Sequence, residues 1–163
     1  MSNRSFAVII DSRMLRRIKA EREQTMTVQA RVTWVESRRF IGHATSGHAI
    51  VIDDSTDKLG PGPMELVLLG LLGCSAIDVM DILEKKRQAV TSLEAIAQSE
   101  RAADHPRVYT AISIEFVVGG QAIKAKAVED AIRLSMGKYC SVAGMLNKTA
   151  QITTSYRIEE QSR

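Results

Sequence analysis

Aromatic residues make up only 4% of the 163-residue chain, as three Phe, three Tyr and one Trp. A core assembled from this chain must therefore be aliphatic, made of Leu, Ile, Val, Met and Ala. Cysteine is limited to two residues, Cys74 and Cys140, which excludes a disulfide-dense scaffold. The stretch "FAVII" at residues 6–10 is too short for a signal-peptide core and lacks a cleavage site. The expected setting is cytoplasmic and reducing. There, two thiols are either chemical or inert rather than a structural bridge. The longest apolar run, about residues 66–77, ends at Asp78 and is too short to span a bilayer. No phosphate-binding glycine loop, nucleophile elbow or nucleotide fingerprint is present.

Excess charge is also missing from most of the chain. The formal net charge is +3. Residues 1–25 carry Arg4, Arg13, Arg16, Arg17, Lys19 and Arg22 against Asp11, Glu21 and Glu23, so the remainder is neutral. This basic stretch is expected to be a flexible tail, or the product of a start assigned too far upstream. Residues 26–163 are expected to form a single domain with no nucleic-acid-binding face.

What is present is regular alternation. "TVQARVTWVE" has the two-residue period of a half-buried strand. "ESRR" is a turn, and "FIGHATSGHAIVID" continues as strand, broken near Gly47. The polar loop "DDSTDKLGPGP" precedes a long helix expected from just after Pro63 to about Arg87. "VTSLEAIAQSERA" and "RVYTAISIEFVVGG" form an antiparallel hairpin across "ADHP". A second helical stretch, divided near Gly137, leads to a last strand, "QITTSYRIEE". The order β-β-β-α-β-β-α-β indicates an α+β fold.

Each cysteine lies in a predicted apolar helix. A free cysteine is among the most commonly buried residues, so plain packing is the baseline explanation. Gly70 lies four residues before Cys74, and Gly137 and Gly144 flank Cys140. Residues three and four apart share a helix face, so these glycines would let two helices cross closely enough for the thiols to meet. Cys74 sits too far inside its helix to be activated by the helix N-terminus, and Asp78 at i+4 would oppose its ionisation. A reactive Cys74 thus needs a cation from elsewhere, and Arg38 and Arg39 in the first turn are the candidates. Glu65 precedes Cys74 by nine residues, about 13.5 Å along a continuous helix and on its opposite face. Its simplest role is at the helix N-terminus. His43 and His48 have no Asp or Cys at metal-ligand spacing, so no metal site is expected. Lys138 and Tyr139 are assigned no chemistry.

The motifs "GPGPMELVLLGLLGCSAIDVM" and "KYCSVAGML", in this order within this strand pattern, resemble the OsmC/Ohr superfamily of thiol peroxidases, and its YhfA-like branch in particular. The resemblance covers about residues 26–159. It implies an intertwined homodimer with two central helices packed on antiparallel sheets. It implies a nucleophilic Cys74, which attacks a hydroperoxide and becomes a sulfenic acid, and a resolving Cys140, which condenses with it to a disulfide. An external dithiol reductant, delivered by a thiol reductant protein, restores the thiols, and no metal or organic cofactor is needed. Arg39 would stabilise the thiolate, with Glu65 holding the arginine. Both are displaced by one residue from the family positions, and in a strand such a shift reverses the face. Val67, Leu71 and Met145 would line an apolar pocket suited to organic hydroperoxides. Two rival functions compete. One is a non-enzymatic protein of the same fold that binds an apolar small molecule or a protein partner. The other is a Cys–His hydrolase, which requires His43 or His48 beside Cys74.

Overall fold

The structure, a computed structural model, describes residues 28–160. The basic stretch 1–25 lies outside them. The chain divides into two compact units, one ending at Gly60 and the other starting at Pro61.

The first unit is a three-stranded antiparallel sheet of β1 (Ala30–Glu36), β2 (Arg39–Ala44) and β3 (Ala49–Asp53), in that spatial order. The β1–β2 turn places Ser37 in the left-handed region at φ +44°, and Trp34 Nε1 donates to the Ser37 carbonyl at 3.0 Å. The β2–β3 turn passes through Gly47 at φ +79°, where glycine removes the steric cost. The β2–β3 register pairs Arg39 with Asp53, Ile41 with Val51 and His43 with Ala49. Strand β1 is exposed along its whole length, including Val32 and Trp34.

The second unit begins with α1 (Pro63–Lys85), which has Gly62 as N-cap and Pro63 at the first helical position, where the missing N–H costs nothing. It continues through β4 (Ala89–Arg101), β5 (Tyr109–Gln121), α2 (Ala125–Leu134), a π-helical turn (Ser135–Tyr139), α3 (Ser141–Leu146) and β6 (Gln151–Glu160). Strand β5 lies central in the sheet, between β4 and β6. Its buried Ile112, Ile114, Phe116 and Val118 recur every second residue, the period that puts them on one face. They join Leu71, Val79 and Leu83 of α1 and Val128, Ala131 and Ile132 of α2 in one core. As the composition required, Tyr109 and Phe116 are the only aromatics among the fully buried members of that core.

The α+β class and the element order match the sequence expectation. One detail of the sheets differs. β4 pairs with β5 antiparallel, but β5 pairs with β6 parallel. The reason is the connection: a parallel partner needs a long crossover, and the segment α2–π turn–α3 supplies one. The second helix does break around Gly137, through the π turn that spans it.

Helix α1, taken whole, is long and apolar enough to cross a membrane by length and composition. This is longer than the run read from the sequence, because the helix continues past Asp78. Its buried stripe of Leu71, Ser75, Val79 and Leu83 faces the protein core, and α1 packs against β4 and α2.

Candidate active site

Cys74 lies near the middle of α1, half-buried, and Cys140 is buried where the π turn gives way to α3. The π turn is closed by the Cys140 N–H, which donates to the Ser135 carbonyl at 2.9 Å. It leaves Cys140 extended, at φ −68° and ψ 102°, as the N-cap of α3. The two sulfurs and a carboxylate oxygen of Asp78 all lie within 4.8 Å of one another. Both cysteines are free thiols. The meeting expected from the sequence is therefore present within one chain, between residues 66 positions apart.

The glycines are not what allows it. A Cβ added at Gly70, Gly137 or Gly144 would meet nothing within 4 Å, so none of them relieves a close contact in this chain. Small residues near the thiols in sequence, Ser75, Ser135 and Ala143, are buried. The Ser75 hydroxyl donates back to the Leu71 carbonyl at 2.9 Å. The Ser135 hydroxyl is in reach of Asp78 Oδ2 at 3.0 Å and of the Ser75 carbonyl at 3.3 Å. A buried hydroxyl needs such partners. Ser135 was missed by sequence reasoning. Its only signal is a polar residue at a helix position whose neighbours, Ala131 and Ile132, face the core.

The two thiols differ in their surroundings. Burial pushes the Cys140 thiol up to about 11, and the neighbouring Cys74 adds to the rise. The Ala143 N–H, donating to Cys140 Sγ at 3.4 Å, opposes it. Asp78 is the carboxylate expected one turn beyond Cys74.

The remaining predicted site residues are spread more widely. Arg39, at the start of β2, is 13% exposed and held by three carboxylates of its own unit. Its Nε donates to Asp53 Oδ2 at 2.8 Å, Nη2 lies 3.7 Å from Asp57, and Nη1 contacts Glu36. These acids push the guanidinium further up, the Asp53 hydrogen bond most strongly. Asp53 is fully buried and also accepts from the Ser55 N–H at 2.8 Å, the Ser55 hydroxyl and the Leu59 N–H at 3.0 Å. These donors hold its carboxyl well below the usual range. Glu65 accepts from the Gly62 N–H at 2.6 Å, which ties it to the first turn of α1. That is the helix-end role.

Of the predicted pocket residues, Leu71 is fully buried in the core and Met145 is exposed. Val67 lines a cavity of about 430 Å³ together with Met64, Val108, Tyr109 and Leu146, and with Arg101 and Arg107 among its other walls. Val67 is two turns before Cys74, about 10.5 Å along α1 and on nearly the same face. His43 is on β2 and His48 precedes β3, both in the first unit.

A family model described as OsmC-like protein matches residues 55–155. The chain belongs to the OsmC family. "Protein YhfA" of Escherichia coli strain K12 is 48% identical over 131 residues, which is 80% of this chain and 98% of that protein. The crystal structure of a hypothetical protein from Aquifex aeolicus VF5 is 29% identical, with a TM-score of 0.77 over 85% of this chain and all of the other. An organic hydroperoxide resistance protein from Legionella pneumophila is 10% identical. It shares the fold at a TM-score of 0.60, over 82% of this chain and 98% of its own. The OsmC-like match contains Glu65, Cys74 and Cys140, whereas Arg39 precedes it.

Proposed function

We propose that this OsmC protein reduces organic hydroperoxides by a two-cysteine mechanism. The observation that carries the reading is the pair of free sulfurs within 4.8 Å of each other. A disulfide bond is about 2.05 Å long, so the sulfurs have at most about 2.7 Å left to close. The difference in exposure supports the following roles. Cys74, half-buried, is the nucleophile. Cys140, buried and reluctant to ionise, is the resolving thiol.

The Cys74 thiolate attacks one peroxide oxygen and the O–O bond breaks. With one proton this yields Cys74 sulfenic acid and an alcohol. The Cys140 thiol then displaces hydroxide from the sulfenic sulfur, giving the disulfide and water. An external dithiol returns two electrons and two protons. The cavity beside Val67 is apolar enough for the organic part of the peroxide. Arg39 is the proposed thiolate stabiliser and Glu65 its partner. For that role the arginine must exchange contacts with Asp53, Glu36 and Asp57 for the sulfur, and Glu65 must leave the Gly62 cap.

The protein is proposed to act as a homodimer. Leu69, Gly73, Ile77 and Met80 share one face of α1, and Leu69 and Ile77 are 54% and 65% exposed. A second copy of the chain would remove these side chains from water, and light scattering of wild type against Ile77→Asp tests this.

The deciding experiment is anaerobic consumption of an alkyl hydroperoxide with excess dithiothreitol. Wild type should turn over and Cys74→Ser should consume nothing; with no reductant present, Cys140→Ser should consume one equivalent and hold a sulfenic acid where wild type forms a disulfide. Equal consumption by all three ends this reading. Arg39→Ala, once shown to be folded, should lose roughly a hundredfold in rate, the usual cost of removing one stabilising donor. An unchanged rate removes Arg39 from the mechanism.

A second reading is favoured by one observation, the saturation of Arg39 by acids within its own unit. In it the cavity at the start of α1 binds an apolar small molecule and the cysteines only pack. Retention of an apolar fluorescent probe by Cys74→Ser, with no peroxide turnover by wild type, would establish it.

A further inference from the structure

Chain spacing hides a metal-donor set that the fold assembles. Cys74 and Asp78 are one helical turn apart on α1, and Cys140 reaches them from the π turn. Three donor atoms, two sulfurs and one carboxylate oxygen, lie within 4.8 Å of one another. In a tetrahedral zinc site, bond lengths of about 2.3 Å to sulfur put two sulfurs about 3.8 Å apart. The sulfurs therefore need to close by at most about 1 Å.

Two further features suit metal binding. The Asp78 carboxylate is oriented from outside by the buried Ser135 hydroxyl at 3.0 Å, the kind of support that metal-ligating carboxylates receive. Asp78 also lines a surface cavity of about 390 Å³ with Asp81, Lys85 and Tyr139. The Asp78 carboxylate is thus reachable from solvent, through a wall that also carries Lys86.

We propose that reduced Cys74 and Cys140 together with Asp78 bind one Zn²⁺ ion, leaving its fourth position open. Two thiolates and one carboxylate favour a borderline-soft tetrahedral ion over magnesium or calcium, which select oxygen donors. Binding releases the two thiol protons to solvent as two Zn–S bonds form. The ion and a peroxide then compete for the same sulfurs. When a hydroperoxide oxidises the loaded site, the two thiolates lose two electrons and become a disulfide. The peroxide takes those electrons with two protons to give an alcohol and water, and Zn²⁺ departs. The proposal rests on the geometry of the three donors and not on the peroxidase reading, so either can fail without the other.

The test uses the reduced full-length chain without peroxide. Zn²⁺ is titrated in competition with a chromophoric chelator, and Co²⁺ is added separately as a spectroscopic probe. One ion per chain is expected, and the Co²⁺ form should show sulfur-to-cobalt charge-transfer absorption with tetrahedral visible bands. Cys74→Ser and Cys140→Ser should each lose the charge-transfer band or halve it. Asp78→Asn keeps both thiols and nearly the same shape, and should weaken Zn²⁺ binding at least tenfold. Ser135→Ala should weaken it about tenfold through the carboxylate it orients. Three results overturn the proposal: no binding by reduced wild type, binding unchanged in the Cys74→Ser/Cys140→Ser double variant, or an affinity of Asp78→Asn equal to that of wild type.

Discussion

Asp53 in the first unit and Cys140 in the second are both buried acids, yet their ionisation moves in opposite directions. Burial disfavours the charged form of each. Asp53 overcomes it with four donors: the Ser55 N–H, the Ser55 hydroxyl, the Leu59 N–H and the Arg39 guanidinium. Its carboxyl is held well below the ordinary range. Cys140 has the Ala143 N–H at 3.4 Å, and its thiol rises to about 11. Burial alone thus does not decide whether an acid is charged; the number and quality of donors aimed at it do. The best-defended cation of the first unit is committed to Asp53, while the thiol pair of the second has a carboxylate, Asp78, as its near neighbour.

Four measurements break or sharpen this comparison, from the largest expected effect to the smallest. The first is alkylation by iodoacetamide at pH 8, followed by mass spectrometry site by site. With a thiol raised from about 9 to about 11, Cys140 should react roughly a hundredfold more slowly than an ordinary free thiol, and more slowly still for being buried. Equal labelling of the two cysteines would show that burial does not suppress Cys140.

The second is urea denaturation of Asp53→Asn against wild type as a function of pH. The folded-state pKa of Asp53 is depressed, so its contribution to stability is complete above the unfolded value of about 3.9. It is lost as pH falls below that value and through the folded one. At pH 7 the variant should therefore unfold at clearly lower urea. The difference should narrow as the pH drops from about 4 toward 2. A constant difference over that range would mean that Asp53 is not held charged by its donors.

The third is Ala143→Pro, which deletes the nearer-acting of two N–H groups that favour the Cys140 thiolate, the other being that of Val142. Proline is tolerated in a first helical turn. A weak neutral hydrogen bond near the low end of about 0.5–1.5 kcal/mol corresponds to a further slowing of Cys140 alkylation by about two- to threefold. Faster alkylation would show that the N–H does not support the thiolate.

The fourth concerns a less buried counterpart of Asp53. Asp130 on α2 is pulled down to about 2 by Lys86 and Arg133, with Lys126 also near. Its partners are more solvated, so Asp130→Asn should change the acid limb of stability less than Asp53→Asn does. The same sign applies: what Asp130 contributes is present above pH 4 and fades toward pH 2. An effect equal to that of Asp53 would mean that burial adds nothing to the strength of such contacts.

Most of the fold was legible in the residues. The period-two alternation of "QITTSYRIEE" fell on β6 from Gln151 to Glu160, and Pro63 marked the start of α1. These signals are local, because a strand or a helix end depends on residues within a few positions of it. The site was legible only in part. The two cysteines, and Asp78 as a near carboxylate, could be singled out. Ser135 could not, since its role depends on a helix 57 positions away. The glycines expected to permit the sulfurs to meet are not what brings them together, because a Cβ at Gly70, Gly137 or Gly144 would meet nothing within 4 Å.

By itself, then, the order of residues determined the aliphatic core, the element order and the presence of two thiols in apolar helical segments. Hydrophobic period and turn chemistry act over short stretches of chain, so they can be seen without a fold. The tertiary structure alone decided that β6 runs parallel to β5, that Asp53 lies opposite Arg39, and that Cys74, Asp78 and Cys140 share one small volume. Each of these depends on strand register or on a helix crossing, which bring together residues between 14 and 66 positions apart, and no local pattern encodes that approach.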